Sequence, residues 1–301
     1  MSFFAIVLAL MLEQARPLGR DNPAYSGLRS WSAWARQALD AGQSHHGWLA
    51  WSLAVLAPAA AATALYGLFH WIHPLAGFLW LVLVLYLTLG FRQFSHHFTA
   101  IRVALESGDE AGARAAFARW KKIDTIDLPR SALLRQVIEF SIVSAHRHVF
   151  GVLVCFVVFA ALGLGPAGAV LYRMAEHVSR RWAEDPTLGP ENASRQAAGS
   201  AWHLVDFIPV RITALAFAVV GNFEEAIANW RQDNRSQSND ALLMSATAGA
   251  MNVRLSEMDD SAGNESHHPQ LAHLASVVGL VWRTVLLWLL LLALGMIARL
   301  I

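Results

Sequence analysis

The chain has 301 residues and a formal net charge of +1; 55% of the residues are hydrophobic and 15% are charged. With a mean hydropathy of +0.40, this balance excludes an ordinary soluble domain and predicts an all-α, polytopic α-helical integral membrane protein with a cytoplasmic helical insert. The near-zero charge excludes a broadly basic nucleic-acid binder, and the one cysteine, Cys155, excludes an internal disulfide and a cysteine-based metal knuckle.

The opening stretch, Ser2 to Leu12, is apolar but falls short of the about 20 residues that cross a bilayer core as helix. It lacks a basic start and a small-residue cleavage pattern, so it reads as a retained anchor. Trp48 to Phe69 and Leu75 to Phe91 meet the length test. Only HWIHP intervenes, which predicts a tight antiparallel hairpin with Pro74 starting the returning helix. The insert that follows, Arg92 to His148, carries a basic excess that assigns it to the cytoplasm. Its helical periodicity is punctuated by SGDEAG as a helix–turn–helix.

Val149 to Val170 is the next expected span, with LGLGPAG either ending it or forming a re-entrant elbow. Ala201 to Asn222 is a predicted helix whose Leu204 to Val220 portion is a further span. EMDDSAGNESHHPQ is a polar linker, and Leu280 to Ile301 is the last span. The expected divisions are residues 1–91, 92–148, 149–255, 256–279 and 280–301. Trp48, Trp51, Trp71, Trp80, Trp282 and Trp288 lie near the ends of these runs, where an indole places its N–H toward water. His96, His97, His146 and His148 are expected at the interface.

The stretch HLVDFIPVR, residues 203–211, sets an aspartate, a proline and an arginine at the head of an apolar run. A central Asp or Arg costs about 2.5–3.5 kcal/mol in a membrane, so Asp206 and Arg211 must be paired, interfacial or turned to a polar cavity. Three-residue spacing puts His203 and Asp206 on one helical face. From spacing alone, a kinked charged collar is the plainer reading. The histidines show no metal-ligand spacing, so no metal is assigned. Cys155 reads as a buried small apolar residue.

Taken in order, HHFTAIRVALESGDEAGARAAFARW, DTIDL, VIEFS, GPAGAVLYR, DFIPVRITAL, GNFEEAIANWRQD and ATAGAMNVRL resemble the CobD/CbiB superfamily of membrane proteins, from Phe91 to about Leu255. The resemblance implies a multi-pass protein of the bacterial inner membrane. One branch is adenosylcobinamide-phosphate synthase, which joins an aminopropanol group to adenosylcobyric acid. Another is AmpE, linked to β-lactamase induction. His97, Asp124, Thr125, Glu139, Tyr172, Arg173 and Arg211 match the synthase pattern. Its GDP…HP opening is missing from MLEQARPLGRDNPAY, its E-N-x-x-D-G is SAHRHVFG here, and its N-T-L-D is EHVS. His203 and Asp206 replace an acidic residue and an asparagine, which brings HLVDFIPVR closer to the AmpE form. These nine residues are the expected polar site.

Losing the groups that position substrate and stabilise developing charge forfeits a few kcal/mol of barrier each. The resemblance therefore implies an AmpE-like, non-catalytic sensor, regulator or assembly partner, with no cofactor. Its expected partners are the lipid bilayer and a membrane protein or second copy. The alternative is a synthase-like amide-forming enzyme of cobalamin biosynthesis with a corrinoid ligand.

Overall fold

The computed structural model describes residues 2–16, 23–39, 43–121, 128–232, 238–253 and 271–298, with side chains at all of these except 23–24 and 91–95. The described residues are helical, without strands, and divide into two compact units: residues 1–91 with 147–209, and residues 92–146 with 210–301.

The first unit contains α1 (Ser2–Ala15), α2 (Pro23–Leu39), α3 (Ser44–Ile72) and α4 (Pro74–Thr88). The α3–α4 turn is as the sequence predicts: Pro74 opens the returning helix, and the His73 ring caps it by accepting from the Leu75 amide at 3.1 Å. The Trp80 indole donates to the Ala62 carbonyl at 2.9 Å and ties the pair together. Trp80 therefore does not turn its N–H to water as expected, and Trp51, 8% exposed, belongs to the core. Trp71, 84% exposed, does lie on the surface. The expected span from Leu75 to Phe91 is also corrected. α4 has 15 residues, about 22 Å of helix against a core of about 30 Å.

Four described helices are long and apolar enough to cross a membrane: Ser44–Ile72, Arg130–Ala161, Ala193–Val220 and Leu271–Ile297. All four start earlier than the apolar runs suggested. Arg130–Ala161 joins α7 (Arg130–Ala145), a π-helical turn at His146–Phe150 and α8 (Gly151–Ala161). LGLGP then reverses the chain into α9 (Ala167–Glu184), with Gly163 (φ +79°) and Gly165 (φ +58°) in the left-handed region that side chains avoid. The Thr63 hydroxyl of α3 holds this turn by donating to the Leu164 carbonyl at 3.0 Å. α10 (Ala193–Val220) begins at Asn192, whose side chain accepts from the Arg195 amide at 3.1 Å as a helix cap.

The second unit contains most of α5 (Phe91–Glu106), then α6 (Glu110–Lys121) and α7. The predicted helix–turn–helix is present, with Gly108 at φ +80° and Asp109 Oδ1 capping α6 through the Gly112 amide at 2.8 Å. Trp120 packs edge-on against Phe140, with ring centroids 4.7 Å apart. His146 is fully buried, 3.0 Å from the Thr213 hydroxyl, which corrects its expected interfacial place. α11 (Phe223–Gln232) and α12 (Asn239–Met251) pack closely at Gly249, where a Cβ would meet the Glu225 backbone. α13 (Leu271–Ile297) starts within the stretch read as linker. Its Arg283 donates to the last carbonyl of α10, Val220, at 3.1 Å, a favourable place for a cation.

Candidate functional site

In the first unit, α8 and α9 run antiparallel and approach closely at two glycines. A Cβ at Gly168 would collide with the Cys155 carbonyl, and one at Gly151 with the Tyr172 ring. Side chains one helical turn apart share a face. Cys155 opposite Gly168 and Gly151 opposite Tyr172 therefore put the next pair, Arg147 and Glu176, at one level. Arg147 lies on the π-helical turn, a wide turn often found at functional sites.

Two polar layers are stacked along α9. In the first, the fully buried Tyr172 donates its phenolic proton to Asp206 Oδ1 at 2.8 Å, and Asp206 is itself fully buried. The Trp202 ring packs 5.2 Å from Tyr172, and the Arg147 guanidinium lies 5.6 Å over Trp202. In the second layer, Glu176 is 3% exposed and accepts from Arg173 Nη1 at 3.4 Å on one carboxylate oxygen and from Arg180 Nε at 2.9 Å on the other. Burial pushes the Glu176 carboxyl up, but Arg173, Arg180, His148 and Arg147 outweigh it and hold the group below the usual carboxylate range. Glu176 in turn raises the Arg180 guanidinium. His177 is pushed down to about 4, first by burial, with Glu176 opposing and Arg180, Arg173 and Arg181 adding to the fall. Its Nε2 is buried and has no hydrogen-bond partner among the described residues.

At neutral pH this arrangement offers an ionised carboxylate held between guanidiniums and a neutral imidazole beside it. Such a set binds and orients charged groups; it contains no nucleophile paired with a base.

Tyr172 and Asp206 are thus brought together, and Arg173 joins them through α9. His203 is not: it is exposed, with its ring 6.5 Å from Phe207, while Asp206 is buried. Three residues leave a turn of about 60° between their directions, enough to put one outside and the other inside, which corrects the expected shared face. In the second unit, His97 stacks on Trp120 at 5.8 Å, Glu139 pairs with Arg135 at 3.9 Å, and Arg211 is half-buried. Asp124 and Thr125 lie outside the described residues. Sequence reasoning missed Glu176, Arg180, Arg147 and Trp202. The signal for the first two was present, since Arg173, Glu176 and Arg180 are spaced three and four apart on one helix.

The family model described as CobD/Cbib protein matches residues 6–279. The cobalamin biosynthesis protein CobD of Stutzerimonas stutzeri (strain A1501) is 30% identical over 272 residues, covering 86% of this chain and 84% of its own. Its namesake in Chromobacterium violaceum is 31% identical over 180 residues, covering 58% and 54%. No solved structure matches the chain. The names of these relatives do not support the non-catalytic sensor expected from the resemblance, and they stand closer to its alternative. With the match running over nearly the whole sequence, and helices able to cross a membrane beneath it, the chain belongs to the CobD/CbiB family.

Proposed function

We propose that the chain is an amide-forming enzyme of cobalamin biosynthesis in the bacterial inner membrane, joining an aminopropanol phosphate to a corrinoid carboxylate. The observation that carries this reading is the likeness to a relative named for cobalamin biosynthesis along 86% of the chain. The Tyr-Arg pair that matches the synthase pattern, Tyr172 and Arg173, lies in the buried polar layers of α9. In the reaction, the amine nitrogen bonds to the carboxyl carbon. One carboxylate oxygen departs as phosphate after activation by a nucleoside triphosphate, and the amine proton passes to solvent. Positioning the two partners is the protein's largest contribution to such a step. The buried charges of α9 suit a substrate that carries both an ammonium and a phosphate.

A second reading, a non-catalytic AmpE-like partner protein, is favoured by one observation: SAHRHVFG and EHVS stand where the synthases carry amides and carboxylates. Expression in a strain lacking the synthase separates the two, with corrinoids measured by mass spectrometry. Adenosylcobinamide phosphate above the empty-vector level is the expected result. Its absence, with the protein present in the membrane, overturns the enzyme reading in favour of the second.

A further inference from the structure

Arg173 and Arg180 divide the two oxygens of Glu176 between them, and the α8–α9 register puts Arg147 at the same level. Counting Asp206 beside Tyr172, these guanidiniums of Arg147, Arg173 and Arg180 still outnumber the two carboxylates Glu176 and Asp206. Glu184, which acts on Arg180, is answered by Arg181, which acts on His177. Exposure rises along the cluster: the side chain of Glu176 is 3% exposed, Arg173 10% and Arg180 43%. The floor is therefore closed and the Arg180 end is open. Guanidiniums present planar forks of N–H donors that match the oxygens of a phosphate.

We infer that Arg147, Arg173 and Arg180 form a binding site for a phosphate monoester, with Glu176 as the resident anion that balances the site while it is empty. The ligand's phosphate approaches from the Arg180 side and competes with the Glu176 carboxylate for guanidinium donors. The inference rests on the amide-forming reading for its soluble ligand, a phosphorylated amino alcohol. The monoester phosphate of phosphatidic acid has the same chemistry and is the other, lipid-borne source.

The test uses the full chain. O-phosphoethanolamine is titrated against detergent-purified protein, and phosphatidic acid against protein in nanodiscs of otherwise zwitterionic lipid. Saturable binding of one probe is expected, and which probe saturates identifies the source. Arg180→Gln should weaken that binding about tenfold or more, the scale of a lost charge-assisted hydrogen bond. Arg180→Lys should recover part of it, Glu176→Gln should tighten it by removing the competing anion, and the exposed Arg119→Gln should leave it unchanged. Monodispersity on size exclusion shows which variants fold. If Glu176→Gln does not, the Arg180 pair decides. Wild-type protein that binds neither probe, or folded Arg180→Gln that binds like wild type, overturns the site. Binding without corrinoid product in the complementation assay leaves the site standing and removes the enzyme reading; product without binding removes the site alone.

Discussion

Asp206 shows how a charge is kept inside an apolar helix: the fully buried Tyr172 phenol points its proton at the carboxylate. Hydrogen bonds to a charged partner contribute about 1.5–3 kcal/mol, and groups in direct contact do not act additively. Thermal unfolding in detergent of Tyr172→Phe, Asp206→Asn and the double variant should give a coupling above about 1 kcal/mol. Additive effects would mean that the contact contributes nothing. His177 and Glu176 both contribute to the acid side of the stability profile. The imidazole, at about 4 when folded against an ordinary value of 6.5, stabilises the fold in its neutral form. That contribution is complete above 6.5 and is lost as pH falls from 6.5 through 4. Glu176, also lowered, loses its contribution only below its ordinary value of 4.5. Unfolding midpoints of His177→Gln should therefore change less between pH 6.5 and 4 than those of wild type, with the steeper loss below pH 4.5 retained.

At the scale of elements, the α8–α9 contact depends on two absent methyl groups. Gly168→Ala should cost about 1–3 kcal/mol, because the added carbon meets the Cys155 carbonyl, backbone that cannot turn aside. Gly151→Ala meets a side chain instead, the Tyr172 ring. Its cost should shrink in a Tyr172→Ala background, and thermal unfolding of that pair checks it. Sequence reasoning reached some elements and not others for identifiable reasons. The α3–α4 hairpin was legible because Pro74 and a break of a few polar residues are local signals. The charge layer of α9 was not. YRMAEHVSRRW has the alternation of a solvated amphipathic helix, and only the helices packed on it reveal that Glu176 faces inward. Trp51 and Trp80 were misplaced for the same reason: position along an apolar run does not say which neighbour takes the indole. The early start of α10 escaped because its first turn, ASRQ, is polar and resembles linker, and that of α13 because LAHL follows directly on the polar stretch EMDDSAGNESHHPQ.

For the molecule as a whole, composition and hydropathy were enough to announce an all-α membrane protein, while the grouping of distant segments into two units was not visible in any local pattern. The basic stretch from Arg92 to His148 leads us to propose a cytoplasmic location for α5 and α6. A phosphatase reporter fused at Gly108 should be silent and a fluorescent one bright, and the reverse pattern would reverse the orientation. The glycine contacts of α8 and α9 also bear on motion. Sliding one helix along the other by a turn, about 5.4 Å, would carry both notches off their partners and drive side chains into the space that Gly151 and Gly168 leave open. This helix pair is interlocked against shear, so the spacing between Arg147 and Glu176 acts as a fixed gauge. Admission of a ligand then falls to the swing of a single long side chain, Arg180, rather than to the displacement of a helix.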